Sequence, residues 1–410
     1  MIPFRYKCTV CGRSFERDEV RYLCPVCGRT YAPGMPLQGV LEVAFDWELF
    51  RARWDPSSPD WDLFMPVEKE YFPPFPVGGT PLLRADRLGQ ELDLRDLSLK
   101  NDGLNPSGSL KDRASFLVVA EASRLGENRI VAASTGNAAS ALAAVCAASG
   151  KQALIFVPAA APRAKLAQIL LYGATLVPID GSYDDAFRLS MEFTEAEGGL
   201  NRNTAYHPLT IEGKKTAGLE IFAQNGMKVP DVIVIPVGDG VILHGVHKAF
   251  ADLRAAGLAP VLPRLLCVQS ERSDAIHRYF TSGTYADAPS PDTFADSISV
   301  RTPSNAVMAR RALLESRGTS VAVSDDEIRT AQAQLARTTG VFAEPAAAAT
   351  IAGLRKMRES GWVSPDDHVV ALITGHGLKD VDAALSGVAV PSPVAPELSA
   401  VQAVLAKCGQ

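Results

Sequence analysis

Lys111 sits in a turn that could give an amine unusual reactivity. In the segment Lys100-Asn-Asp-Gly-Leu-Asn-Pro-Ser-Gly-Ser-Leu-Lys-Asp-Arg113, Asn105, Pro106 and Gly108 are turn formers and Ser109 is placed to cap a helix. Lys111 then falls in the first helical turn, where the positive end of the helix dipole disfavours an ammonium. That position lowers the amine pKa and suits a lysine that forms a Schiff base. A solvated surface lysine is the plainer reading of the same residue taken alone. A second constellation is made of cysteines. Cys8 and Cys11 form one C-x2-C pair and Cys24 and Cys27 another, with Gly12 and Gly28 directly after each pair. Two such knuckles can place four thiolates at the corners of a tetrahedron, the arrangement of structural zinc. One pair alone would suit redox chemistry; two matched pairs argue against it, and a four-cysteine iron site is the competing metal. Four protein ligands leave no open position, so the metal is expected to be structural.

Three further turns carry polar groups where a plain loop need not. Ala133-Ser-Thr-Gly-Asn-Ala-Ala-Ser140 runs from an apolar strand into an alanine-rich helix. Ser134, Thr135 and the first helical amides make an anion cradle, and Asn137 adds a side-chain donor; simple helix capping would use the same residues. Pro236-Val-Gly-Asp-Gly-Val-Ile-Leu-His-Gly245 is again strand, glycine turn and helix, with backbone N–H groups able to hold a phosphate. A lone G-x-G is weak evidence. Asp239 would repel a phosphate dianion by about 4 kcal/mol at about 4 Å and an effective dielectric of about 20. The expectation is that its carboxylate points away and bonds to nearby amides or a hydroxyl, while Gly238 to Ile242 bind through N–H groups. In Leu372-Ile-Thr-Gly-His-Gly-Leu-Lys-Asp380, Thr374 ends an apolar strand and offers a hydroxyl, and His376 reads as structural.

The elements that must position these groups alternate along the chain. Strands are expected at 97–100, 130–133, 153–157, 175–179, 232–237, 265–269 and 369–374. Helices are expected at 109–124, 138–149, 162–171, 183–197, 213–224, 325–339 and 345–358. This alternation implies an α/β fold with parallel sheets, whose ligand sites lie beyond the carboxyl ends of the strands. The 410 residues are too many for one compact core. Residues 37–80, rich in Trp, Phe and Pro, read as a connector packed on the main body. Pro396 to Ala406 could form a terminal helix. With 47% hydrophobic residues, 21% charged residues and a net charge of -5, the chain offers no basic patch for nucleic acid or an anionic membrane. The apolar run from Ile130 to Gly150 is broken by polar residues, and the start is not a signal sequence, so a cytoplasmic protein is expected. Cys146, Cys267 and Cys408 read as buried or incidental thiols.

Taken in order, these segments resemble the fold type II pyridoxal-phosphate (PLP) enzymes, and among them threonine synthase. The likeness runs from about Gly78 to about Asp382. "NPSGSLKDR" is similar to the lysine motif and puts Lys111 at the Schiff-base position. "STGNAAS" is similar to the substrate-carboxylate loop, which implies that Ser134, Thr135 and Gly136 bind the α-carboxylate and that Asn137 reaches the cofactor's ring hydroxyl. "VGDGVILHG" stands where the family keeps its cofactor-phosphate loop, implying roles for Gly238, Asp239, Gly240, Val241 and Ile242. "VFAEPAAAAT" with Glu344 and "TGHGLKD" with Thr374 follow; the Thr374 hydroxyl would pair with the pyridine nitrogen. "DGSYDDAFR" and "IEGKKTAGLE" are also threonine-synthase-like, and the cysteine module is similar to a ribbon of some microbial threonine synthases. The implied fold is that of the tryptophan synthase β type, with two parallel-sheet α/β domains and a zinc ribbon. The divisions are 1–36 for the ribbon, 37–104 with 200–385 for the large domain, 105–199 for the small domain and 386–410 for a tail.

The sequence also departs from the family. Leu110 replaces a usual Phe. The phosphate loop is usually Gly-Asn-x-Gly-Asn, and here both asparagines are lost. His207 stands where many relatives have Asn and Ser182 where some have it, at positions that help to hold the phosphate of O-phosphohomoserine, while Arg188 is retained. The resemblance implies a PLP-dependent carbon–oxygen lyase that turns O-phosphohomoserine and water into threonine and phosphate. It also implies an amino-acid substrate bound with help from Arg188 and His207, and a homodimer. Two alternatives stand beside it: a related β-replacement or β-elimination enzyme, cysteate synthase-like or dehydratase-like, and a non-catalytic PLP-fold protein whose ribbon binds a partner.

Overall fold

A computed structural model describes residues 1–32, 34–159, 161 and 163–408. The apolar runs form the strands of two largely parallel sheets. In the larger, the order is Thr319–Val323, Arg264–Ser270, Val232–Pro236, His368–Ile373, Asp96–Asn101 and Leu82–Arg84, with only the last strand antiparallel. Its central strands are buried almost end to end, which explains why they read as continuous apolar runs without alternation. The smaller sheet is fully parallel, in the order Thr175–Ile179, Gln152–Pro158, Arg129–Ala133 and Leu200–Asn201. The short last strand joins this sheet although it lies beyond the expected small-domain boundary at 199.

A third, antiparallel sheet is built from Ser14–Phe15, Phe4–Cys8 and Leu41–Phe45. The third strand comes from past residue 36, so the ribbon's sheet is completed by the connector. Beyond it, Asp46 caps the helix Trp47–Arg53. Trp47, Phe50, Trp54, Trp61 and Phe64 form a chain of ring contacts that ends on Phe222 of the main body. The connector is therefore a packed aromatic layer, and its irregular sequence reflects burial by ring stacking instead of a helical or strand period.

Helix boundaries follow local chemistry. Ser182 and Asp185 make a capping box for Tyr183–Glu197, and Ser324 and Glu327 make one for Asp325–Thr339. The helix expected from Gly213 starts earlier, at Leu209, and runs to Gln224. Pro162, at the expected start of one helix, lies outside the described residues; that helix spans Arg163–Leu171. The tail carries a helix at Leu398–Cys408.

The helix that begins at Lys111 (Lys111–Arg124) is anchored by a buried ion network. The Arg113 guanidinium donates to both Asp102 carboxylate oxygens at 2.6 and 2.9 Å, to Glu220 at 2.7 and 2.8 Å, and to the Thr80 hydroxyl at 3.1 Å. Lys100 adds bonds to Glu220 at 2.5 Å, to Gln224 at 2.9 Å and to the Thr80 carbonyl at 2.6 Å. Burial alone would raise the Glu220 pKa, but Arg113 and Lys100 outweigh it and hold the group at about 2. The folded chain therefore binds this proton more weakly than the unfolded chain, whose glutamate titrates near 4.5. The stabilisation is present above that value and is lost as pH falls toward 2. We expect urea-unfolding stability to decline across this window. Glu220→Gln should flatten the decline and cost about 1–3 kcal/mol at neutral pH, because Arg113 and Lys100 lose a charged partner. An unchanged pH slope in the variant would rule out Glu220 as its source.

Candidate active site

The carboxyl ends of both parallel sheets converge on one cavity, in keeping with the rule for open α/β sheets. Lys111, Asn137, Gly238, Asp239, Gly240, Val241, Ile242 and Thr374 all line it, with Lys214, Ser297 and Glu344 among their neighbours. Thr135 and Gly136 lie outward, along an adjoining cleft that also holds Gln168 and Lys379.

Lys111 opens its helix at the end of the turn after Asp96–Asn101. The turn is stitched to the Thr374 segment. The Leu110 N–H donates to the Thr374 carbonyl at 2.8 Å, and the His376 N–H to the Gly108 carbonyl at 2.9 Å. Gly108 has φ +88° and faces the Lys379 side chain, a conformation and a proximity that favour glycine. Burial lowers the Lys111 pKa and nearby Arg202 adds to this, while Asp239 and Glu344 oppose it.

The glycine loop fits a phosphate in its backbone. Gly240, at φ +88°, is the N-cap of the helix Val241–Ala255; a Cβ there would lie 2.9 Å from Ala309 Cβ. The first-turn N–H groups of this helix have no acceptor within it and are available to an anion. The Asp239 carboxylate instead accepts from the Ser304 N–H at 2.9 Å and the Ser304 hydroxyl at 3.0 Å. Asp239 thereby ties the loop to the residues just before the helix Ala306–Glu315. Across the cavity, Asn137 donates to Glu344 at 2.9 Å, and Ser297 donates to the same carboxylate oxygen at 3.2 Å. Burial raises the Glu344 pKa. The Asn137 amide thus lines the cavity while bonded to a buried acid.

The Ser134 hydroxyl accepts from the Gly136 N–H at 3.2 Å and shapes the cradle, and a Cβ at Gly136 would meet nothing within 4 Å. This loop is open toward the cleft. A reactive amine, a glycine cradle at a helix N-terminus and a buried hydroxyl at a strand end make a donor set that fits PLP.

The structure does not bring every expected residue to this cavity. Arg188 is half exposed and pairs with Glu192 at 2.8 Å and Asp185 at 3.6 Å. His207 is buried under Tyr22, with its ring accepting from the Leu209 N–H at 3.2 Å. Burial pushes its pKa down to about 4, so the ring is neutral. Both residues lie outside the lining of cavity and cleft. Conversely, the sequence reading gave no role to Ser297, Lys214 or Lys379. Ser297 sits in an irregular stretch without a motif. The Lys214-Lys215 pair carried a signal, since two adjacent cations on one helix point to different surroundings and the helix offers Glu212 to only one of them. Lys379 belongs to the TGHGLKD segment, and its ammonium donates to Ser140 at 2.8 Å and to Gln168 at the cleft.

At the N-terminus, Cys8, Cys11, Cys24 and Cys27 bring all four sulfurs within 4.8 Å of one another. Gly12, at φ +71°, donates its N–H to the Cys8 carbonyl, and Gly28 donates to the Cys24 carbonyl. These are the two tight knuckles that the spacing implied.

Comparison with known proteins agrees with this geometry. The family described as "Pyridoxal-phosphate dependent enzyme" matches residues 74–375. A threonine synthase of Methanosarcina acetivorans is 36% identical over 97% of this chain and 98% of its own length. One of Methanocaldococcus jannaschii is 34% identical over 97% and 98%. Among solved structures, threonine deaminase isoform 2 from Solanum lycopersicum shares the fold with a TM-score of 0.67 at 22% identity, covering 81% of this chain and 94% of that one. With Lys111, the glycine cradle and Thr374 gathered at one cavity and the family matched across it, the chain belongs to the pyridoxal-phosphate dependent enzymes, as a threonine synthase-like lyase of fold type II.

Proposed function

We propose that the protein is a threonine synthase, converting O-phosphohomoserine and water to threonine and phosphate. The observation that carries this reading is the convergence of Lys111, the 238–242 loop, Asn137 and Thr374 on one cavity whose mouth is the Thr135–Gly136 loop. The likeness to threonine synthases over nearly the whole chain supports the substrate. PLP, when bound, supplies a conjugated system that accepts negative charge from the substrate's Cα.

The protein's own groups do the rest. Lys111 would hold the cofactor and then, as a free amine of lowered pKa, take protons from Cα and Cβ and return protons to Cγ, which becomes the methyl group, and to Cα. Backbone N–H groups from Gly238 to Ile242 hold the cofactor phosphate. The Thr374 hydroxyl, which lines the cavity, would offer the ring nitrogen a neutral hydrogen-bond partner. Ser134, Thr135 and Gly136 hold the substrate carboxylate. Lys379, at the cleft, offers a cation to the substrate's phosphate, which leaves before water adds at Cβ. The expected division into a large unit (37–104 with 200–385) and a small one (105–199) is kept in outline, with Leu41–Phe45 going to the ribbon's sheet and Leu200–Asn201 to the small sheet; a cytoplasmic homodimer is part of the same proposal.

The exposed placement of Arg188 favours a second reading, β-replacement or β-elimination on a different amino acid. A substrate panel separates the two. Phosphate release from O-phosphohomoserine without ammonia supports threonine synthase, and ammonia release from serine or threonine as the main activity overturns it.

Lys111→Ala should retain the fold, lose the visible absorbance of the bound cofactor, and reduce turnover at least about a thousandfold. A variant that still gives a borohydride-reducible adduct at the normal site would remove Lys111 from this role. The cysteine cluster is proposed to hold one structural zinc at sulfur distances of about 2.3 Å. Metal analysis should give one equivalent per chain, and chelation should loosen the N-terminal module before it alters cofactor absorbance. Protein purified without chelators that carries no metal, or carries iron, would contradict the zinc assignment.

A further inference from the structure

Two adjacent lysines in Leu209–Gln224 are buried, and they are treated differently by their surroundings. Lys215 pairs with Glu212 and with Asp252 at 3.1 Å, and its ammonium sits 4.7 Å from the Phe45 ring centroid. Lys214 is 1% exposed, yet among the described residues it has no carboxylate within ion-pair distance. Its ammonium donates to the Thr204 hydroxyl at 2.7 Å. An ammonium has three donors, and burying one without a counter-ion is costly. Burial lowers its pKa, and the nearby charges of Lys111 and Arg202 lower it further against the opposing pull of Asp239.

Its position suggests what completes it. Lys214 lines the same cavity as Gly238 to Leu243. The helices Leu209–Gln224 and Val241–Ala255 touch through glycines. A Cβ at Gly245 would lie 2.8 Å from Lys214 Cβ, and one at Gly218 would lie 2.6 Å from Ala249 Cβ. This close crossing sets Lys214 beside Gly245, one turn into the helix Val241–Ala255, on the cavity that the start of that helix also lines. The Asp239 carboxylate, the acid nearest in sequence to that turn, is occupied by Ser304. Arg202 is a second buried cation that, among the described residues, has no carboxylate within ion-pair distance. It is 1% exposed, its Nε donates to Ser115 at 3.1 Å, and one of its terminal nitrogens has no hydrogen-bond partner.

We propose that Lys214 is the side-chain counter-ion of the cofactor phosphate, completing a loop that otherwise offers only backbone N–H groups, with Arg202 adding positive field behind it. This rests on the assignment of the 238–242 loop to the cofactor phosphate. It also accounts for the loss of both asparagines from the loop: a buried ammonium supplied by the neighbouring helix takes over their donor role.

The test compares PLP with pyridoxal, which lacks the phosphate, in wild-type protein stripped of cofactor and in Lys214→Met and Lys214→Arg. Binding is read by cofactor absorbance and calorimetry, without turnover. A charged hydrogen bond of the usual strength corresponds to about ten- to a hundredfold in affinity. Lys214→Met should weaken PLP by that factor and leave pyridoxal within about twofold, and Lys214→Arg should recover part of the loss. The apo Lys214→Met protein should be at least as heat-stable as wild type, because an unpaired buried charge is gone, while its gain in Tm on adding PLP should shrink. Unchanged PLP affinity, or an equal loss for both ligands, would overturn the proposal. Failure of the Lys111 assignment would show separately, as borohydride labelling elsewhere in the wild-type holoenzyme.

Discussion

The Arg113 guanidinium is shared by Asp102, Glu220 and Thr80, and through it three elements meet: the end of the strand Asp96–Asn101, the start of the lysine helix and the helix Leu209–Gln224. Arg113 lies two residues beyond Lys111, so fixing one fixes the first turn that presents the other. Burial works against the guanidinium's charge, but Asp102 and Glu220 outweigh it and raise its pKa. Removing the only partner of a buried charge typically costs about 3–5 kcal/mol; here Arg113 has two carboxylates, so the loss of one leaves it partly compensated. A buried apolar contact could match the energy without matching the direction. The planar fork, bonded on several edges, orients the helix as well as holding it.

The same helix, Leu209–Gln224, reaches the phosphate side of the cavity by a different device. Gly213 touches the Arg113 backbone and Gly245 touches Lys214, at distances where a Cβ would clash. Lysine helix, central helix and phosphate helix therefore pack as one unit behind the cavity. The N-terminal module is tied to that unit. Glu42, on its completing strand, lies 2.6 Å from the His244 ring nitrogen of the helix Val241–Ala255. The Leu37 N–H donates to the carbonyl of Ser304, the residue that holds Asp239. The Tyr22 hydroxyl accepts from the Asn201 N–H at 3.0 Å, and its ring stacks on Tyr206 at 4.5 Å. The N-terminal module thus supports the 238–242 loop and the 201–207 segment from outside.

Much of the architecture was legible because its causes are local. Apolar runs such as Val232–Pro236 and His368–Ile373 mark strands covered on both faces. Capping residues such as Ser182 and Ser324 mark helix starts, and glycine turns after strands mark the carboxyl-end loops. The short edge strands Leu82–Arg84 and Thr319–Val323 were not read, since three to five residues at a sheet edge carry little periodic signal. The strand Leu41–Phe45 was hidden because it pairs with a segment more than thirty residues away.

By itself, the sequence determined which side chains could do chemistry and in what order the loops that carry them occur, because turn geometry, helix capping and burial of a strand are written within a few neighbouring residues. The tertiary structure alone decided which of those side chains meet. Lys214 and Lys215 are chemically identical and adjacent, but consecutive helical residues point about 100° apart. The glycine-mediated helix crossing sends one to the cavity and the other to Glu212 and Asp252. Arg188 keeps its place in a motif, yet its helix leaves it half exposed between Asp185 and Glu192. The direction of a side chain depends on the packing of whole elements, and that packing is fixed by contacts far apart in the chain.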